Sequence, residues 1–127
     1  MRDHERAMLA YARLAQISHQ KRQLPGRDKF LVLTGAAACR AGWPEVALRC
    51  RELVLHHNRM HMVSRFDTFA DALRSPDFEP LLKRLERMCG YEKAEHLLAE
   101  LEIDPGVPPD QDDTVGQFAL SLLGESP

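Results

Sequence analysis

The sequence predicts an all-α protein built from stacked antiparallel helical hairpins, with about six helices followed by a short C-terminal helix. Apolar residues recur every three or four positions over most of the chain. Glycine, proline or a short polar side chain stands near the ends of these segments, where helices begin and end. The strand signal is confined to residues 30–33, which continue into small residues without a turn. Helices therefore account for the whole predicted core.

Composition sets the general class of the protein. The chain has 127 residues, 44% of them hydrophobic and 28% charged, as in a soluble domain with one core. No apolar run approaches the roughly 18 residues of a membrane-spanning helix, and no signal-peptide core follows the charged first residues. We therefore expect a cytoplasmic protein without membrane association. We also expect no cofactor, because no cofactor-binding motif is present.

The first half of the chain predicts three helices. The first covers about residues 3–20 and stops at the segment 23–26, which contains a Pro-Gly pair. The second begins with Asp28 as its N-cap, is apolar on most faces and runs to about Arg40, where Gly42 ends it. The third has Pro44 in its first turn. The second and third helices should form a hairpin.

The second half predicts three further helices. Ser64 and Asp67 resemble a capping box at the start of a short helix. Asp77 is the expected cap of the fifth helix, whose apolar stripe includes Leu85, and Gly90 is its expected stop. The sixth helix then continues to about residue 101. We expect the fifth and sixth helices to pack as a second antiparallel hairpin.

The predicted domain covers residues 1–104, followed by a Pro/Asp-rich linker over 105–113 and a docking helix over 114–124. Val115, Phe118 and Leu122 share one side of this last helix. A helix this short is marginal in water, so it must pack against a surface. That surface belongs either to the same chain or to a second copy, which would make a homodimer.

Residues 31–59 resemble a tetratricopeptide-type helix pair. Gly35 and Ala47 have the family's spacing between a glycine in the first helix and an alanine in the second, and Gly42 stands at the turn. The resemblance implies either a tetratricopeptide-like stack or an irregular helical bundle. It also implies a scaffold that binds a protein or peptide, mainly on the surface of its first helices, and no enzyme activity.

Charge is distributed unevenly along the chain. Residues 1–65 contain 12 Lys+Arg against 5 Asp+Glu, a net +7, while residues 66–127 contain 5 against 14, a net −9. The two halves either attract each other or leave a basic surface for an acidic partner. We predict a protein-interaction or adaptor module that binds another protein or an acidic peptide. The candidate partner-binding residues combine charge with flat apolar area: Tyr11, Arg27, Lys29, Arg40 and Trp43.

Two other functional classes stay open. A nucleic-acid-associated accessory protein would use the basic N-terminal half, where cations surround the Pro-Gly turn. A small metal-dependent or thiol enzyme is the third alternative. His57 and His61 are four residues apart, as two metal ligands on one helix would be, but no third ligand is indicated and we predict no metal site. Cys39, Cys50 and Cys89 lack zinc-site spacing and are expected to be reduced, mostly buried thiols.

Overall fold

The computed structural model describes residues 3–103 and 114–124, and within them the chain is all-α, as predicted. These ranges contain no β-strand. Seven α-helices and one 3₁₀ turn follow in order: α1 Asp3–Gln20, α2 Leu24–Ala41, α3 Pro44–His57, the 3₁₀ turn Met62–Arg65, α4 Phe69–Arg74, α5 Glu79–Met88, α6 Tyr91–Glu100 and α7 Val115–Leu123. None of these helices has the length and apolar character needed to cross a membrane.

Helix α2 lies at the centre of the fold. It packs against α1, α3, α4 and α5, and all residues from 31 to 38 are buried. This explains why the sequence is apolar on most of its faces. Gly42 ends α2 with φ of 82°, a left-handed conformation that glycine adopts without a side-chain clash. The predicted α2–α3 hairpin is therefore present.

The predicted starts of three helices are wrong. Helix α2 begins at Leu24 with Pro25 in its first turn, so Asp28 lies inside the helix, where it is buried and ion-paired. Thr68, rather than Ser64, caps α4 by accepting a hydrogen bond from the Asp71 amide. Phe78, rather than Asp77, is the N-cap residue of α5. In each case a nearby short polar side chain was mistaken for the cap.

The predicted hairpin of α5 and α6 is also wrong. Helix α5 packs on α2, whereas α6 packs on α1, and the two have no extensive interface with each other. The buried Leu82 and Leu85 of α5 and the buried Ala94 and Leu98 of α6 therefore belong to different helix contacts. Gly90 is the N-cap of α6, in an extended conformation, rather than a stop residue in the left-handed region.

Helix α7 packs on its own chain, against α1 and α3. Its start is a capping box, because Thr114 and Gln117 exchange side-chain to backbone hydrogen bonds. Phe118 and Leu122 are buried, and Val115 is half-buried against the same core. The predicted linker over 105–113 lies outside the described residues. The burial of this apolar side against α1 and α3 supports docking of the C-terminal helix within its own chain.

Candidate functional site

Two of the five predicted partner-binding residues are inside the protein. Tyr11 is only 6% exposed, and its hydroxyl donates a hydrogen bond to the Cys89 carbonyl at 2.9 Å. Burial raises the pKa of Tyr11 to about 12. Arg27 is 4% exposed and belongs to a buried polar network. Neither side chain offers the exposed area that the sequence suggested.

A polar network around the buried Arg27 and Asp28 joins three helices and includes two exposed histidines. Arg27 donates to His19 Nδ1 at 3.0 Å, to Asp28 Oδ1 at 3.2 Å and to the Leu53 carbonyl at 3.2 Å. Asp28 also lies 2.5 Å from Nδ1 of His57 through its other carboxylate oxygen. A buried carboxylate needs such partners, since an unpaired buried charge is strongly unfavourable. The network therefore fixes α1, α2 and α3 relative to one another and orients His57.

The two histidines are not on one helix. Helix α3 ends at His57, and His61 is the N-cap of the 3₁₀ turn, where its Nδ1 accepts a hydrogen bond from the Val63 amide at 3.1 Å. Both Nδ1 atoms are thus engaged by the protein. Burial lowers the pKa of His61, while the charge of Asp28 partly offsets this effect. Among the described residues, no group of three His, Cys, Asp or Glu side chains is arranged to hold a metal ion.

Trp43 and Lys29 have different surroundings. Trp43 is half-buried, its indole donates to Glu5 at 2.9 Å, and its ring contacts the backbone of α7 at Gly116. Lys29 is exposed on the first part of α2. The structure therefore does not bring the five predicted residues together into one surface.

A groove along α2 contains the fourth candidate, Arg40, at its centre. One cavity, of about 670 Å³, lies between α2, α4 and α5 and has an apolar lining that includes Leu73, Phe78 and Leu82. A second cavity, of about 300 Å³, lies between α1, α2 and the start of α6 and is lined by Ala36, Ala37 and the buried Tyr11, among others. Arg40 and Glu86 line both cavities. We call the two together the α2 groove.

Charges along the α2 groove are mostly paired. Lys83 lies 2.7 Å from Glu79 and Arg74 lies 3.3 Å from Asp71, each within one helix. Arg40 and Glu86 are 3.5 Å apart, and each side chain is 43% exposed. This is the only ion pair among the described residues that joins the basic half of the chain to the acidic half. Direct pairing between the halves is therefore slight.

The cysteines are placed as structural thiols. Cys50 and Cys89 are buried, and Cys39 is half-buried. Burial raises the pKa of all three thiols, which disfavours the reactive thiolate. This environment gives no support to the thiol-enzyme alternative.

Sequence reasoning missed most of the α2 groove. Its floor combines small residues of α2 with Leu73 and Leu82 from helices that are distant in sequence. The sequence signal for this floor is limited to Ala36 and Ala37, the small residues of α2 that line one of the two cavities. Arg40 was predicted for a different reason, as a charged residue on the exposed surface of the first helix of the pair.

Comparisons with known proteins give no relative for this chain. No family model, curated protein or solved structure matches it.

Proposed function

We propose that this protein is a peptide-binding interaction module and that the α2 groove receives a short segment of a partner protein. The segment carries an apolar side chain next to a carboxylate. The observation that supports this proposal is a groove whose lining combines apolar and charged residues, with a weakly held arginine in the lining of both of its cavities.

The apolar part of the groove supplies the binding free energy in this proposal. The larger cavity, about 670 Å³, falls within the range of roughly 300 to 1,000 Å³ typical of ligand sites. Phe78 and Leu82 belong to the packed core, so the floor is rigid before a ligand arrives. A large apolar side chain is the natural anchor for such a site, because a preformed floor loses little entropy on binding.

Arg40 supplies the preference for a carboxylate. Its contact with Glu86 is long and half-exposed, and ion pairs of this kind contribute little to stability. A partner carboxylate can therefore replace Glu86 beside Arg40 at small cost. Lys83 is instead held at 2.7 Å by Glu79 of its own helix. An acidic residue beside the apolar anchor matches this arrangement better than a uniformly acidic peptide.

The tetratricopeptide-type resemblance points to the same surface. Helix α2 contains the residues that resemble the family's first helix, and first-helix surfaces are where that family binds its partners. The groove lies along this helix, with Ala36, Ala37 and Arg40 in its lining. The resemblance thus supports a binding role without catalysis.

A peptide selection followed by charge reversal tests the proposal. Peptides selected from a random library on the folded protein should contain an apolar residue next to Asp or Glu. Their affinity should fall about tenfold or more for Arg40→Glu, because a favourable charge contact becomes repulsive. Arg87→Glu is the matched control, since Arg87 is also an exposed cation near the end of a helix and lines neither cavity.

Three results would contradict the proposal. Equal binding by the Arg40→Glu and Arg87→Glu variants would place the peptide elsewhere. Failure to select any peptide would remove the basis for a binding module. Displacement of the selected peptides by a single-stranded oligonucleotide, with strong salt dependence, would favour the nucleic-acid alternative.

A further inference from the structure

A third cavity lies on the other side of α5, away from the α2 groove. Its volume is about 300 Å³, and its lining comes from the start of α2, the end of α3, the following loop and α5. Helix α5 gives Leu82, Lys83 and Glu86 to the groove but Arg84 and Leu85 to this cavity. We call it the His57 cavity. The sequence and the proposed peptide site leave it without a role.

The polar lining of the His57 cavity is predominantly cationic or hydrogen-bond donating. Helix α2 contributes Lys29 and Asp28, α3 contributes His57, the loop contributes His61 and α5 contributes Arg84. Asp28 is the only carboxylate among the described residues that line it. That carboxylate is already engaged by Arg27 and His57. It therefore does little to neutralise the two cations at the cavity.

Lys29 and Arg84 form no ion pair with another described residue. They come from two different helices and still line one cavity. Both side chains are exposed, so each is free to turn toward a ligand at the cavity. An anion bound there would gain charge-assisted hydrogen bonds from both of them.

The two histidines are each held through the Nδ1 atom. His57 is oriented by the contact of its Nδ1 with Asp28. His61 accepts the Val63 amide at Nδ1, so its neutral ring carries the hydrogen on Nε2 and acts there as a donor. The polar partners of these rings come from the protein itself, and the ring positions are therefore set before a ligand binds.

We propose that the His57 cavity binds the terminal phosphate of a small phosphorylated molecule. Lys29 and Arg84 contact the phosphate oxygens, and the oriented imidazoles of His57 and His61 provide further polar contacts. A phosphate monoester, with its high charge on a compact group, suits a cavity of about 300 Å³ with two cations from separate helices. A nucleic-acid backbone would instead require a row of cations along an open surface.

Nuclear magnetic resonance titration of the full chain tests this proposal with inorganic phosphate and phenyl phosphate as probes. Saturable shifts should appear at the His57 and His61 imidazoles and at neighbouring amides. The dissociation constant should rise about tenfold in Lys29→Gln and in Arg84→Gln, as expected for loss of one charge-assisted contact. Both side chains are exposed, so these substitutions should preserve the fold. Arg87→Gln, on the same helix but outside the cavity, should bind like the natural protein.

The other outcomes overturn the proposal. Shifts that grow linearly with phosphate, or that are equal in all three variants, would mean general ionic binding. Tighter binding of a short single-stranded RNA than of phenyl phosphate, weakened by the same substitutions, would make the cavity a contact point for a nucleic-acid backbone. Binding of peptides to the α2 groove is measured separately with Arg40→Glu, so failure of one proposal leaves the other intact.

Discussion

The indole ring of Trp43 lies against the backbone of Gly116, where a β-carbon would be only 2.3 Å from Trp43 Cε3. Trp43 immediately precedes α3, and Gly116 is in the first turn of α7. A hydrogen bond from the indole to Glu5 at 2.9 Å restrains the ring from the other side. The packing of α7 against Trp43 therefore depends on the absence of a side chain at Gly116.

Gly116→Ala should destabilise the protein. The added methyl group must displace either a restrained ring or the helix itself, and overpacking of this kind costs about 1 to 3 kcal/mol. Urea denaturation measures the loss. Gly26→Ala is the matched control, because no atom lies within 4 Å of a β-carbon there and alanine favours the helix. Equal stability of the two variants would mean that the ring moves freely.

Local signals predicted the helices well and their ends poorly. The stripe containing Leu85 and the stop at Gly42 were both identified correctly, because each depends on short-range spacing or backbone conformation. Asp28 was mistaken for a cap because its partners, Arg27 and His57, include a residue 29 positions away. Spacing along one segment carries no information about such a partner.

The candidate site was predicted less well for the same physical reason. The sequence predicted Tyr11 to be an exposed, flat apolar residue. Its hydroxyl instead donates a hydrogen bond to the Cys89 carbonyl, which is 78 positions away in the chain. Arg40 was found because its exposure follows from its place near the end of α2. The remaining groove depends on α4 and α5 both packing on α2, which is a tertiary property.

Gly35→Ala should be strongly destabilising. A β-carbon at Gly35 would lie 2.6 Å from the ring of Phe69, which is buried where α4 packs on α2. The ring belongs to a short helix that must shift to make room, at a cost of about 1 to 3 kcal/mol. Thermal unfolding of the single variants and of Gly35→Ala combined with Phe69→Leu measures their coupling. Strict additivity of the two changes would show that they are not in contact.

The stability of the protein should fall above pH 10 in a way that depends on Tyr11. Its pKa is about 12 in the folded chain, against 10.0 for an ordinary tyrosine. Between these values the folded state holds more protons than the unfolded state, so the free energy of unfolding decreases as pH rises. Tyr11→Phe should flatten this decrease and cost about 1 kcal/mol at neutral pH by removing the bond to Cys89. An unchanged pH slope would contradict the burial of this hydroxyl.

The three thiols should react in an order set by their burial. Cys39 is half-buried and should be modified first by a chromogenic disulfide at pH 8, while Cys50 should react only when the protein unfolds. The raised thiol pKa values reduce the thiolate fraction of all three in the folded state. Complete reaction in denaturant provides the control. Rapid modification of Cys50 in the native protein would reopen the thiol-enzyme alternative.

Phe118→Ala should lower stability without changing the number of chains in the particle. Phe118 is 6% exposed, and the Arg13 guanidinium lies 5.9 Å from the centre of its ring, so α7 is held by contacts within its own chain. Arg49 adds two hydrogen bonds to the Gly124 carbonyl just after the helix, at 3.1 and 3.3 Å. Loss of the buried ring should cost about 3 to 5 kcal/mol.

Light scattering and thermal unfolding over a range of protein concentrations separate docking within the chain from exchange of tails between two chains. If α7 docks within its own chain, Phe118→Ala and the natural protein have the same particle mass. The difference between their melting temperatures is then independent of protein concentration. Leu48→Ala is the control, since Leu48 is 52% exposed and its loss should change stability little. If two chains exchanged their α7 helices, the natural protein would have the mass of two chains and Phe118→Ala would have the mass of one. A homodimer held by α7 requires that second result, because the same apolar side of the helix cannot pack on α1 and α3 of both chains at once.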